Sequence, residues 1–236
     1  RYAVHLAAGV ASDRCSRKRI GMKRLEKAAK ISKILEELYP VIPIPLEHTD
    51  PYTLTVAVAL SAQTTDKKVN EITPALFAEG GTPEKMAALH PDRILELIRQ
   101  VGLAPTKAKN LSMMAHQILD AGGEIIPDWD FMESLAGVGH KTAGVVLSQS
   151  FGMPAFPVDT HIQRLAARWG LSDGSNVVKT EKDLKAVFPE ETWNDRHLQI
   201  IFFGRDYCPA RNHDLSACEI CSWAATKKRM SEEAKR

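Results

Sequence analysis

Apolar residues recur at helical spacing along most of the chain. Leu25, Ala28, Ala29, Ile31, Ile34, Leu35 and Leu38 fall on one side of a single helix. Pro40, Pro43 and Pro45 end it in an extended connection, because proline has no N–H to donate and clashes with a continuing helix. Further helices are predicted over residues 53–60, 67–77, 91–101 and 106–121, separated by breaks containing Gly, Pro and Asp. Thr82-Pro83-Glu84 reads as an N-cap followed by proline at the first helical position. Later helices are predicted near 142–151, 160–169, 181–187 and 195–207. Val145-Val146 favours a strand locally, but its flanks are helical and too few alternating runs exist to build a sheet. The pattern shows no internal repeat, and the fold class it predicts is all-α.

At 236 residues and 44% hydrophobic content, the chain is long enough for one large or two small domains with real cores. A formal charge of +2 is only mildly basic, so bulk charge does not establish a nucleic-acid partner. Basic residues cluster at Arg14, Arg17, Lys18, Arg19, Lys23, Arg24 and Lys27, and again at Lys227, Lys228 and Arg229. Either cluster reads as a solvated face unless the fold brings it beside a binding site. No apolar run approaches the ~20 residues that span a bilayer, and the first ten residues lack the cleavage site of a signal peptide. A soluble protein with no membrane association is expected. Four cysteines, three of them crowded together, argue against a secreted disulfide framework and for a reducing compartment. A cytoplasmic location follows, nucleoid-associated if the source is bacterial.

The candidate chemistry lies in the segment Leu135-Ala136-Gly137-Val138-Gly139-His140-Lys141-Thr142-Ala143. One helical pattern ends at Leu135 and the next begins near Lys141, so Gly137 and Gly139 let the backbone turn sharply with amide N–H groups outward. Those amides, backed by a helix N-terminus, form an anion site suited to a DNA phosphate. A phosphate loop of the nucleotide-binding kind is excluded, since it needs glycine directly before the lysine and His140 intervenes. Lys141 falls in the first helical turn, where the positive end of the helix dipole opposes an ammonium and favours the nucleophilic amine. Asp159, within Val158-Asp159-Thr160-His161, is a candidate carboxylate partner. It also precedes the apolar series Ile162, Leu165, Ala166 and Trp169, so it reads equally as the N-cap of a helix.

Three further motifs accompany the hairpin: Leu60-Ser61-Ala62-Gln63 before Thr65-Asp66, Val101-Gly102-Leu103, and Phe203-Gly204-Arg205 ahead of Cys208-x9-Cys218-x2-Cys221. With these, the chain resembles the endonuclease III family of helix-hairpin-helix DNA glycosylases and AP lyases from about Met22 to its C-terminal region. The resemblance implies two helical domains flanking a DNA-binding cleft. Residues 46–154 would form a six-helix domain with the hairpin, and 22–45 with 155–236 an iron–sulfur-type domain. Residues 1–21 precede the resemblance and read as an extension, expected to be disordered, or as a misassigned start. The partner implied is damaged double-stranded DNA, bound by a monomer. Gln63 would bond the orphaned base after the damaged nucleotide is flipped out, with Leu103 as an apolar wedge. Gly137, Val138, Gly139, His140 and Thr142 would bind the backbone. Lys141 would attack the sugar to form a Schiff base, and Asp159 would stabilise the charge developing there. The implied reaction is removal of oxidised pyrimidines followed by strand cleavage through β-elimination. Alternatives are a related glycosylase for oxidised purines or mismatched thymine, or a non-catalytic DNA-binding module that would need neither Lys141 nor Asp159.

The cysteine region departs from that family, whose four-iron, four-sulfur cluster uses four cysteines. Here the fourth is absent, since Ser222 to Lys227 contains none, and the Cys208–Cys218 interval is longer than usual and carries His213 and Asp214. Three clustered thiolates suit iron–sulfur or zinc. A four-iron, four-sulfur cluster is the expected cofactor, held by Cys208, Cys218 and Cys221 with an atypical or missing fourth ligand. His213, Asp214, Asp206 and Cys15 are the candidates for that position. Three unligated core cysteines are the plainer alternative.

Overall fold

A computed structural model describes residues 24–233. The expectation for residues 1–21, the candidate ligand Cys15 and most of the first basic cluster lie outside the described residues. Thirteen α-helices and one 3-10 turn make up the described chain, with no strand among the described residues. Pro43–Pro157 forms one compact unit, and the described residues on either side of it form the other.

The first unit carries α2 (Pro51–Ser61), α3 (Asp66–Gly80), α4 (Pro83–Ala88), α5 (Pro91–Ile98), α6 (Ala104–Asp120), α7 (Trp129–Ser134) and α8 (His140–Phe151). The expected count was six; α4 and α7, at six residues each, are close to the shortest stretch that counts as a helix. Helix α2 has apolar residues or threonine on nearly every face and buries eight of its eleven residues, so other helices must enclose it. Full burial of Leu54 or Leu60 contributes roughly 1.5–3 kcal/mol each. Its start is fixed by Asp50, whose carboxylate accepts from the Thr53 amide at 2.8 Å while Thr53 Oγ1 accepts from the Asp50 amide at 3.0 Å. Helix α8 packs against α2, and α6 packs against α4 and α5. Thr82 caps α4 ahead of Pro83, as the sequence pattern predicts. Helix α3 continues three residues past its predicted end and passes through Pro74.

The second unit comprises α1, described over residues 24–38, with α9 (Thr160–Trp169), α10 (Val177–Lys185), α11 (Trp193–Asp206), α12 (Cys221–Ala224) and α13 (Lys227–Glu233). Ile162, Leu165, Ala166 and Trp169 line the buried face of α9, and Trp169 meets Phe203 of α11 edge-on at 5.8 Å. Buried Arg196 ties α11 to α1, donating to Glu36 at 2.6 Å and to the Ser32 carbonyl at 3.2 Å. Lys27 donates to the carbonyls of Trp169 and Ala224, both at 2.8 Å, satisfying acceptors that two helix ends leave exposed. Helix α10 begins four residues before its predicted start. Asn176 caps it at 2.8 Å, and the valines that follow are exposed, so no buried periodicity announces the first turn.

Candidate functional site

The hairpin between α7 and α8 is built from below. Leu135 and Val138 are buried, and the Val138 amide donates to the Leu135 carbonyl at 3.0 Å. Gly137 stands between them at φ +82°, where an L side chain is strained, and a Cβ there would come within 2.9 Å of the Asn110 side chain. Gly139 is different. Its backbone is extended, a Cβ would meet nothing, and its role is to leave the surface open. As the N-cap of α8 it contributes no side-chain acceptor, so the amides of the first turn are not taken up by a cap. Among the described helices of this unit only α6 and α8 lack a side-chain cap. Lys141 is the second residue of α8 and is exposed; Thr142 beside it is half-buried. His140 is held against α7, stacked on Trp129 at 4.8 Å and bonded to Glu133 at 2.6 Å.

Gln63 and Leu103 lie on two loops that touch. Both have left-handed backbones, at φ +56° and +61°, and with Asn212 they are the non-glycine residues in that region among those described. Such a conformation costs roughly 1–2 kcal/mol per residue and is characteristic of functional loops. Both side chains are exposed, Leu103 by 56% despite being wholly apolar. Gly102 is required between them, because a Cβ there would sit 2.9 Å from the Gln63 carbonyl oxygen.

The fastening group is Lys107, a lysine buried on α6. Its Nζ donates to the carbonyls of Leu60 and Ala62 at 2.8 and 2.6 Å and to Thr64 Oγ1 at 3.4 Å, and that hydroxyl accepts from the Gly102 amide at 3.2 Å. Burial pushes the Lys107 pKa down, and the three oxygens offset the loss of water. Further along the same face of α6, Asn110 underlies Gly137, and Gln117 donates to the Ser134 carbonyl at 2.9 Å while accepting from the Ala136 amide at 2.7 Å. Positions 103, 107, 110 and 117 keep helical spacing, so one rigid helix sets both the hairpin and the Gln63–Leu103 loops. The sequence reading missed Lys107, Asn110 and Gln117. Their signal was present as polar residues at helical intervals beside the buried Ala108, Leu111, Met114, Ala115 and Ile118.

Asp159 belongs to the second unit. It is half-buried and caps α9, its Oδ1 accepting from the Ile162 amide at 2.8 Å. The N-cap reading is thus realised, and it commits one carboxylate oxygen.

The cysteines converge between α11 and α12. Cys208, Cys218 and Cys221 are all buried and free of disulfides. Cys208 Sγ lies 3.3 Å from His213 Nε2 and 3.6 Å from Cys221 Sγ, and the four ligand atoms of Cys208, His213, Cys218 and Cys221 lie within 4.8 Å of one another. The other described candidates point elsewhere: Asp206 accepts from the Tyr39 hydroxyl at 2.7 Å, and Asp214 accepts from the Ser216 amide and hydroxyl at 2.8 and 2.6 Å. Hydrogen bonding with Cys208 and Cys218 pushes the Cys221 thiol up, whereas hydrogen bonds from Cys208 and Cys221 pull Cys218 down. Arg168, 2% exposed, donates to Cys208 Sγ at 3.2 Å and to the Pro209 carbonyl at 2.7 Å while paired with Glu233. The cluster is a set of soft donors able to hold a metal.

An all-α fold with an uncapped helix behind a glycine hairpin, an exposed lysine in its first turn and a buried thiol cluster matches the pattern of the helix-hairpin-helix class of DNA glycosylases. The profile of the HhH-GPD superfamily base excision DNA repair proteins matches residues 56–190, and the chain belongs to that family. It is 40% identical to endonuclease III of Bacillus subtilis over 188 residues, covering 79% of this chain and 86% of that one. Endonuclease III of Treponema pallidum is 41% identical over 199 residues, 83% of this chain and 94% of that one. Among solved structures, a trapped covalent intermediate of endonuclease III with DNA superposes with a TM-score of 0.81 at 34% identity, covering 89% of this chain and 99% of that chain. The protein is accordingly a bifunctional glycosylase and AP lyase of base excision repair.

Proposed function

We propose that the protein removes oxidised pyrimidines from damaged duplex DNA, acting as a monomer, with Lys141 as nucleophile. The observation that carries this reading is the exposed Lys141 in the first turn of α8, directly after a hairpin whose helix N-terminus is left without a side-chain cap. The hairpin, with Val138 buried beneath it, positions one strand through phosphate contacts from the amides of Gly137, Gly139, His140 and Thr142, which carry no sequence information. Gln63 and Leu103 occupy the space of the extruded nucleotide, whose unstacking costs roughly a few kcal/mol. Their strained, pre-set backbones mean that little ordering remains to be done on binding.

In the reaction the Lys141 amine forms a bond to the sugar C1′, and the bond from C1′ to the base breaks with its electron pair leaving on the base. Loss of the amine proton and opening of the sugar ring give the Schiff base, which acidifies the C2′ hydrogen. Removal of that proton expels the 3′ phosphate. The Asp159 carboxylate stabilises the positive charge that develops on the sugar and helps to manage the amine proton. The cysteine end has no part in these steps. A four-iron, four-sulfur cluster held there would need His213 in place of the missing fourth cysteine.

The test is a set of duplexes, each carrying one oxidised pyrimidine, one oxidised purine or one mismatched thymine, assayed separately for base release and strand cleavage. Fastest release at the oxidised pyrimidine, with cleavage in step, is expected. Faster release at either of the others, or release without cleavage, would contradict the reading.

A further inference from the structure

We infer that Cys208, His213, Cys218 and Cys221 hold one tetrahedral metal ion of the zinc type rather than a four-iron cluster. The inference is independent of the Lys141 mechanism, since it rests on a different unit and different chemistry.

The donor set is complete. Three thiolates and one imidazole are a recurring structural zinc set, and the spacing Cys208-x4-His213-x4-Cys218-x2-Cys221 places all four in one loop of fourteen residues. Two of the distances already match one ion, and the rest of the set lies within about 1 Å of doing so. Thiolate sulfurs about 2.3 Å and an imidazole nitrogen about 2.0 Å from a shared tetrahedral centre stand roughly 3.5–3.8 Å from each other. Cys208 Sγ is 3.6 Å from Cys221 Sγ and 3.3 Å from His213 Nε2, and no pair in the set exceeds 4.8 Å. In a four-iron cube each terminal ligand binds a different iron and radiates away from the others. A set this tight has no room for the cube between its sulfurs.

The surroundings suit the resulting charge. A dication with three thiolates and a neutral imidazole carries one net negative charge, and Arg168 donates directly to Cys208 Sγ at 3.2 Å. Arg164 joins it at the Cys208 carbonyl, 3.0 Å away. Burial of the three cysteines keeps solvent from the centre. Such an ion has no redox chemistry, so its work is to fix the loop between α11 and α12.

The test uses the full chain, purified without oxygen from cells supplied with both iron and zinc, so that a labile cluster is not lost in handling. Elemental analysis should find about one zinc per chain and only trace iron and acid-labile sulfide, in a colourless solution. X-ray absorption at the zinc edge should give three sulfurs and one nitrogen in the first coordination sphere. His213→Ala should weaken zinc retention against a chromophoric chelator by more than the roughly 10–100-fold typical of losing a group that merely orients a ligand. If that variant does not fold, the metal content of the natural chain decides alone. A brown protein with four irons and four sulfides per chain would overturn the inference, as would a metal-free chain whose thermal midpoint is unchanged by added zinc.

Discussion

The loops gathered on α6 and the loop from Cys208 to Cys221 are both irregular backbone, and they are held by opposite means. Around α6 the donors and acceptors are the chain's own: Lys107 reaches three oxygens, Gln117 clasps both ends of the hairpin's first turn, and Asn110 fills the space under Gly137. At the cysteine end the groups are three buried thiols and a half-buried imidazole turned toward one another. The first arrangement is complete without a cofactor and holds Gln63 and Leu103 in strained, exposed conformations. The second would be satisfied by the ion proposed above, whose contribution would be to the stability of the loop.

The largest expected effect separates grip from chemistry. Lys141→Gln should abolish borohydride trapping and strand cleavage while duplex affinity changes by less than about threefold, because the hairpin amides that supply phosphate contacts remain. A large loss of affinity would mean that the lysine binds rather than reacts.

Next, Asp159→Asn should slow base release by about 10²–10³-fold, as removal of a charge matched to the transition state does. Its thermal midpoint should hardly move, since Asn caps a helix as well as Asp; Asp159→Ala should in addition lose about 1 kcal/mol. Normal turnover in the Asn variant would leave only the capping role.

Lys107→Met tests the α6 side of the comparison. Leaving two buried carbonyls without donors should cost about 2–4 kcal/mol in urea unfolding, with a loosened Gln63–Leu103 region visible in hydrogen exchange. A chelator should produce no comparable loosening there. If removing metal protected or exposed the Gln63 loop as strongly as the Lys107 change, the two regions would not be held separately.

The smallest effects distinguish the two hairpin glycines. Gly137→Ala should destabilise by at least the roughly 1–2 kcal/mol of a left-handed alanine, whereas Gly139→Ala should leave stability intact and weaken binding to all duplexes by a few fold. Equal behaviour of the two variants would show that the division of labour is wrong.

Much of this was legible in the residues. The buried stripe of α9 and the proline start of α4 follow from spacing and cap chemistry, and the glycine hairpin with Lys141 stands out because few other arrangements need those residues in that order. The polar spacing of the α6 anchors was legible but their partners were not, because what Lys107 bonds to lies more than forty positions away in the chain. The start of α10 was hidden by exposed valines. The fourth metal candidate stayed open among four residues because a list of possible ligands carries no distances; the fold turns Asp206 to Tyr39 and Asp214 to Ser216 and leaves His213 beside the sulfurs.

The most direct test of the central claim is to reduce the protein with borohydride during reaction on oxidised-pyrimidine duplex, digest it, and map the sugar adduct by mass spectrometry. The account places the adduct on Lys141 alone, with none in the Lys141→Gln variant. An adduct on any other lysine, or undiminished adduct in that variant, would contradict it.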